Sequence, residues 1–181
     1  MRLFFAVGLS REAIDELRGP LGEARRAAGS GFSFGNTDQL HFTLAFLGEQ
    51  PETAVQAATA AGEAVRGSAF AIHIAGAGAF PSLARPRVAW LGLREGKEPL
   101  CALAERLRTA LTANGIAFDE KPFRPHLTVA RLRHKGRLPP AMLDILQRCE
   151  TRMQVNELVL VHSILGRGAR HEALRRFPLD R

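Results

Sequence analysis

Apolar and polar residues alternate one by one in several stretches of the chain, and two of those stretches carry the same letters. Leu40 to Leu47 contains His41-Phe42-Thr43-Leu44, and a second stretch from His126 to Leu132 opens with His126-Leu127-Thr128-Val129. A period of two belongs to a strand, whose successive side chains point to opposite faces. His41 and Thr43 therefore share one face, with Phe42 and Leu44 on the other. The second copy sets His126 and Thr128 against Leu127 and Val129 in the same way.

The same patterning predicts the other elements. Arg2 to Gly8 reads as a buried strand rather than as a secretory leader, because Ser10-Arg11-Glu12 follows it without a small-residue cleavage pattern. Ser10 is placed to cap a helix with Ile14, Leu17 and Leu21 on one face, and Gly19-Pro20 predicts a kink or break in it. Gly29 to Gly35 reads as a short strand around Phe32 and Phe34. Pro51 opens a second helix, and Ala69 to Ala77 is a strand with His73 on its polar face, a surface or packing histidine. Gly76 to Pro86 reads as a loop crossing between two halves. Then come a strand over Arg87 to Leu93, a helix from Pro99 to Asn114-Gly115 and a short strand over Ile116 to Phe118. The second motif strand follows, then a helix from Pro139-Pro140, one strand over Gln154 to Leu165 and an edge strand over Ala173 to Leu179.

Strand, helix, strand, motif strand, helix, strand thus occurs twice, near residues 1–80 and 85–165, with a last strand towards 181. The expected architecture is α+β, a single domain of two pseudo-symmetric lobes, each an antiparallel sheet with outer helices, and a cleft between them at the motifs. The 181 residues fit one such domain.

Charge adds a partner class. Twenty-five Lys and Arg against 18 Asp and Glu give a net charge of +7, which favours an anionic partner, nucleic acid first. No run approaches the ~18 apolar residues of a membrane span. Two cysteines, Cys101 and Cys149, without a CxxC pattern, read as reduced thiols in a cytoplasmic protein.

The doubled motif supplies the chemistry. With 6 His and 8 Thr in the chain, His-apolar-Thr-apolar should arise by chance roughly 0.06 times, so one copy is weak evidence and two are not. Two imidazoles and two hydroxyls facing one small object suit a phosphate, since hydroxyls donate hydrogen bonds and imidazoles donate or take protons. The motifs lack the added carboxylate or thiolate ligands of a metal site, so neither a metal nor another cofactor is expected.

The chain resembles the two-histidine (2H) phosphoesterase superfamily, and within it the RNA 2′,3′-cyclic phosphodiesterases, also named 2′-5′ RNA ligases. The resemblance lies in Arg2-Leu3-Phe4-Phe5-Ala6, Leu40 to Gly48, Phe80 to Gly92, Glu172 to Leu179 and, most specifically, Pro122 to Arg131. It implies the 2H phosphoesterase fold, His41 as proton donor, His126 as proton acceptor, and Thr43 and Thr128 on the phosphate oxygens. It implies hydrolysis of RNA 2′,3′-cyclic ends to 2′-phosphomonoesters. A monomer is expected, in the cytoplasm that the cysteine usage suggests. Arg131 is a further candidate for the phosphate, but simple alternation turns it away from Thr128, so a bulge or strand end is needed to bring it back. Arg124 and Lys121 read as rim charges. The chain departs from the pattern in Gly31 to Asp38, where Phe32 and Phe34 are the aromatics, and at His171, where a Tyr is common. Either Phe offers a stacking face to a terminal base, with core packing the expected role. The competing readings are ligation of a cyclic end to a 5′-hydroxyl by the same residues, non-catalytic binding of RNA ends, and a structural metal site.

Overall fold

The computed structural model describes residues 1–134, 136–166 and 169–180. Among these residues nine strands and four α-helices follow in chain order: β1 (Arg2–Gly8), α1 (Arg11–Ala28), β2 (Phe32–Phe34), β3 (His41–Glu49), α2 (Ala54–Ala64), β4 (Phe70–Ser82), β5 (Arg85–Glu95), α3 (Lys97–Ala113), β6 (Leu127–Leu132), α4 (Pro140–Arg148), β7 (Glu150–Val155), β8 (Glu157–Ile164) and β9 (Arg170–Pro178). All named strand pairings are antiparallel, in the order β7-β4-β5-β6-β3-β1-β8-β9, with β2 added to β6. This is the α+β class that the patterning predicts.

The two lobes are not two separate sheets. They join through β3 and β6, which share a single register pair, Phe42 with Leu127. Nor is either lobe one half of the sequence. Outward from the join, one side runs β3-β1-β8-β9 and the other β6-β5-β4-β7, so β4 and β8 have each crossed to the opposite lobe. The helices cross too. α1 packs with α4 against β4 and β7, and α3 packs with α2 beside β3 and β8. Their apolar faces form one core beneath the sheet, running from Leu17 and Leu21 through Phe5, Phe42 and Leu127 to Leu103 and Leu107. A second, small cluster of Phe4, Ala6, Val159 and Val161 lies apart from that core.

Several expectations are corrected. α1 runs unbroken through Gly19-Pro20. Its buried stripe, Ala13, Ile14, Leu17, Leu21 and Ala24, continues past the proline, and that packing outweighs the missing N–H. Gly76 to Pro86 is a β-hairpin rather than a crossing loop. Gly76, at φ 80°, sits in a register shift of the β4–β5 pair, and Gly78 faces Trp90 where any Cβ would meet the indole at 2.3 Å. Ile116 to Phe118 forms no strand. Gln154 to Leu165 is two strands broken at Asn156, where the positions packed on the main core change from odd (Met153, Val155) to even (Leu158, Leu160), while Val159 and Val161 face the small cluster. β7 then lies at one edge of the sheet and β8 next to the other. His73 is buried, with Nε2 3.3 Å from Glu150 and Nδ1 3.7 Å from Glu95, so it packs rather than faces solvent.

Gly78→Ala should lower the unfolding free energy by about 1–3 kcal/mol, because the added methyl has no room under the indole. Urea unfolding measures the loss, and adding Trp90→Leu should recover part of it.

Candidate active site

β3 and β6 run antiparallel through the Phe42–Leu127 pair, so the two motifs are related by an approximate dyad at that point. Phe42 and Leu127 are fully buried, while His41, Thr43, His126 and Thr128 are half-buried on the other face. The four predicted side chains are therefore gathered around one axis, on the side of the sheet away from the helices.

The two imidazoles are held alike. His41 Nδ1 lies 2.7 Å from the carbonyl oxygen of Gln39, and His126 Nδ1 lies 2.6 Å from that of Arg124. A carbonyl only accepts, so each Nδ1 carries the proton and each Nε2 is left for the cleft. His41 stacks on Phe4 (centroids 4.9 Å apart, 27° between planes) and meets His171 edge-on at 5.2 Å. His126 has Phe80 edge-on at 4.8 Å. These apolar neighbours have an electrostatic cost. Burial pushes His41 down to about 4, against the opposing pull of the Gln39 carbonyl, and the charges of His171, His126 and Arg131 add to the fall. His126 is lowered in the same way, by burial first and by Arg131 after it.

Arg131 reaches the site by a bulge. In the β5–β6 register Trp90 faces Thr128 and Ala89 faces Ala130, so Val129 is an extra residue. Val129 and Ala130 are both buried, and Arg131 returns to the face of Thr128. Its guanidinium makes no hydrogen bond or ion pair among the described residues, and its charge acts on both motif imidazoles.

The first motif has a matching bulge. Phe5 faces Ala45 and Ala6 faces Thr43, so Leu44 is the extra residue; Leu44 and Ala45 are both buried. Phe46 thereby returns to the face of Thr43. The repeat is longer than its first four letters: His-x-Thr-x-Ala-Phe at 41–46 and His-x-Thr-x-Ala-Arg at 126–131. That sixth position is the signal that reading by alternation missed. Phe46, half-buried with the Arg2 guanidinium 4.8 Å from its ring centroid, is the dyad mate of Arg131. Of the other aromatics, Phe32 is buried in the core, and Phe34 lies under Arg25 at 5.6 Å. Arg124 and Lys121 have exposed side chains. Among the described residues, no three His, Cys, Asp or Glu side chains converge as metal ligands.

A family model described as the 2′-5′ RNA ligase superfamily matches residues 9–167. The chain belongs to this superfamily. An RNA 2′,3′-cyclic phosphodiesterase of Archaeoglobus fulgidus is 34% identical over 98% of this chain and 99% of its own. The protein of that name from Geobacillus stearothermophilus is 32% identical over 78% of this chain, and the match spans 46% of that longer protein. Among solved structures, Escherichia coli LigT complexed with 3′-AMP is 30% identical with a TM-score of 0.78, over 99% of this chain and 98% of that one. This superfamily member thus shares fold and length with LigT, as the resemblance in the motifs leads one to expect.

The sign of the pH dependence follows from burial. A histidine whose folded pKa lies below its unfolded ~6.5 stabilises the fold above pH ~6.5, and that contribution is lost as pH falls. For His41 the loss runs from about 6.5 to about 4. By proton NMR, His41 should titrate near pH 4 and His126 below 6.5, and inorganic phosphate should raise both midpoints. His41→Gln should reduce the fall in stability across that window. A His41 midpoint at or above 6.5 in the free protein would contradict the burial argument.

Proposed function

We propose that the chain is a metal-independent RNA 2′,3′-cyclic phosphodiesterase that opens cyclic ends to 2′-phosphomonoesters, with residues 1–181 acting as one unit of two repeats. The observation that carries this reading is the dyad-related pair of imidazoles, each fixed by a carbonyl at Nδ1 and free at Nε2. In-line hydrolysis of a phosphodiester needs a proton taken from water on one side and a proton given to the leaving oxygen on the other. Two opposed imidazoles supply both, each contributing about 10²–10⁴-fold.

His126 takes the proton of the attacking water through Nε2 while the new P–O bond forms. The bond from phosphorus to O3′ breaks, and His41 Nε2 gives O3′ its proton, so the phosphate stays on O2′. Thr43 and Thr128 hydrogen-bond the non-bridging oxygens, and Arg131 stabilises the charge that builds on them. Phe46 supports the placement of the nucleoside on the His41 side. It presents a half-buried ring on the motif face where Arg131 stands in the other lobe, and base stacking on such a ring is worth about 1–3 kcal/mol.

Burial keeps His41 neutral in the free protein, so its proton arrives with the anion, whose charge favours the imidazolium. The low Nε2 basicity then helps the proton leave for O3′. We read the enzyme as a cytoplasmic monomer acting on RNA ends. The unpaired Cys101 and Cys149 fit a reducing compartment, and no helix is long and apolar enough to cross a membrane among the described residues.

The test is incubation with an oligonucleotide carrying a 2′,3′-cyclic end, followed by identification of the product end. A 2′-phosphate is expected, and activity should survive EDTA. His41→Ala and His126→Ala should each cut the rate by about 10²-fold or more with native circular dichroism. Arg131→Ala should lower kcat by about 10²-fold, the scale of a lost oxyanion donor. A 3′-phosphate product would mean that the ribose docks the other way round, and would remove the basis for the donor and acceptor assignment while leaving the histidine pair. A joined product would favour ligation, and an unchanged end would overturn the reading.

A further inference from the structure

The two lobes are built alike around their motifs, but one pair of corresponding positions is filled and the other is not. In the His126 lobe, the residue facing Thr128 is Trp90, and Gly78 pairs with it on β4. The indole occupies the space over Gly78 and leans on Phe80 at 5.3 Å. In the His41 lobe, the residue facing Thr43 is Ala6, and its partner on β8 is Val159. Small side chains there leave a concavity of about 380 Å³ that begins at His41 and Phe4 and runs over Ala6, Val159 and Val161 towards Asn156. That volume lies within the range of small-molecule sites, roughly 300–1,000 Å³.

The lining specifies the chemistry of an occupant. Its floor is the small apolar cluster of the sheet's outer side. Its charges are already paired: Asp38 with Arg18 at 2.8 Å, and Glu157 with Arg176. Among the described lining residues beyond the histidines, no unpaired Lys or Arg is left for a phosphate. The exposed carboxamides of Gln154 and Asn156 stand at the far end, and neither has a side-chain partner among the described residues. Free carboxamides pair with the edges of nucleobases, donating and accepting at once. An apolar floor with a carboxamide end is a site for a neutral base.

We infer that this groove binds the nucleoside immediately 5′ of the cyclic end, so that the enzyme reads a second nucleotide of its RNA. The inference rests on the hydrolytic reading above. The terminal base lies beside Thr43 over Phe46, whose ring packs at the edge of the same small cluster, and the strand passes His41 into the concavity. In the other lobe the Trp90 indole fills the corresponding position, so the substrate strand occupies one lobe and the attacking water enters from the other.

The experiment compares kcat/KM for a 2′,3′-cyclic mononucleotide and for a dinucleotide ending in the same cyclic nucleotide. The ratio is taken on one preparation, so any fraction of misfolded protein cancels. The wild type should favour the dinucleotide by about tenfold or more, the scale of one stacked base. Ala173 is exposed on β9 opposite Val161. Ala173→Trp should lay an indole over the floor and bring the ratio towards one. The double variant Gln154→Ala, Asn156→Ala should lower it in part without filling the groove. Equal kcat/KM for the two substrates in the wild type would overturn the inference and leave the phosphodiesterase reading intact. So would a ratio that survives both variants. Hydrolysis of neither substrate would overturn both readings together.

Discussion

One cross-strand pair, Phe42 with Leu127, holds the site together. Both side chains are fully buried in the core over the helices, and their burial turns His41, Thr43, His126 and Thr128 to the uncovered face. A slip of one residue in either strand would exchange those sets, sending imidazoles into the core and phenyl and isobutyl groups into the cleft. The rest of the fold resists that slip. The exchange of β4 and β8 between lobes, and of α1 and α3 beneath them, means that neither lobe can shift without dragging packing from the other. The cleft is then a fixed distance between two strands of one sheet, and the mobile variable left to substrate binding is the proton.

The motif strands were legible because a strand's faces alternate, and a histidine two positions from a threonine is visible by eye. Element type was legible for the same reason at α3, where Leu100, Leu103, Leu107 and Leu111 are all buried on one face. What alternation does not carry is any change of phase. The bulges at Leu44-Ala45 and Val129-Ala130 return Phe46 and Arg131 to the cleft; the need for one at Arg131 follows from the resemblance, while Phe46 emerges only when the two copies are compared to their sixth residue. Asn156 hides a second change of phase, where one apparent strand is two on opposite sides of the sheet. The segment Gly76 to Pro86 was misread for a different reason. Its glycines look like loop residues by composition, whereas Gly78 is small because Trp90 needs the space. The carbonyls of Gln39 and Arg124 are invisible in any sequence, because every residue has one and only the fold aims it.

The proton inventory of the free site is set by desolvation more than by charge. Burial is the largest effect on His41, His126 and His171, and in each it favours the neutral ring. Three neutral imidazoles beside the Arg131 guanidinium, unpaired among the described residues, make a site with little fixed positive charge of its own. An arriving phosphodiester changes that balance, because its anion lowers the cost of an imidazolium on either side, and the first one formed opposes a second across the dyad. Acid and base therefore separate when substrate binds, from two groups that begin in nearly the same state.

Which imidazole receives the proton must come from a difference between the lobes, and the strands near the motifs contain three. Phe46 replaces a guanidinium with a ring, Ala6 replaces an indole with open space, and His171 stands against His41 with no counterpart at His126 among the described residues. On the proposed reading, all three suit the His41 side to a nucleoside, and Arg131, unpaired among the described residues, suits the His126 side to phosphate charge. A ribose held by one lobe puts its own oxygen next to that lobe's histidine, so the leaving group, rather than any intrinsic basicity, assigns the acid. The repeat supplies two equal proton carriers; the side chains that break the repeat decide which way the reaction runs between them.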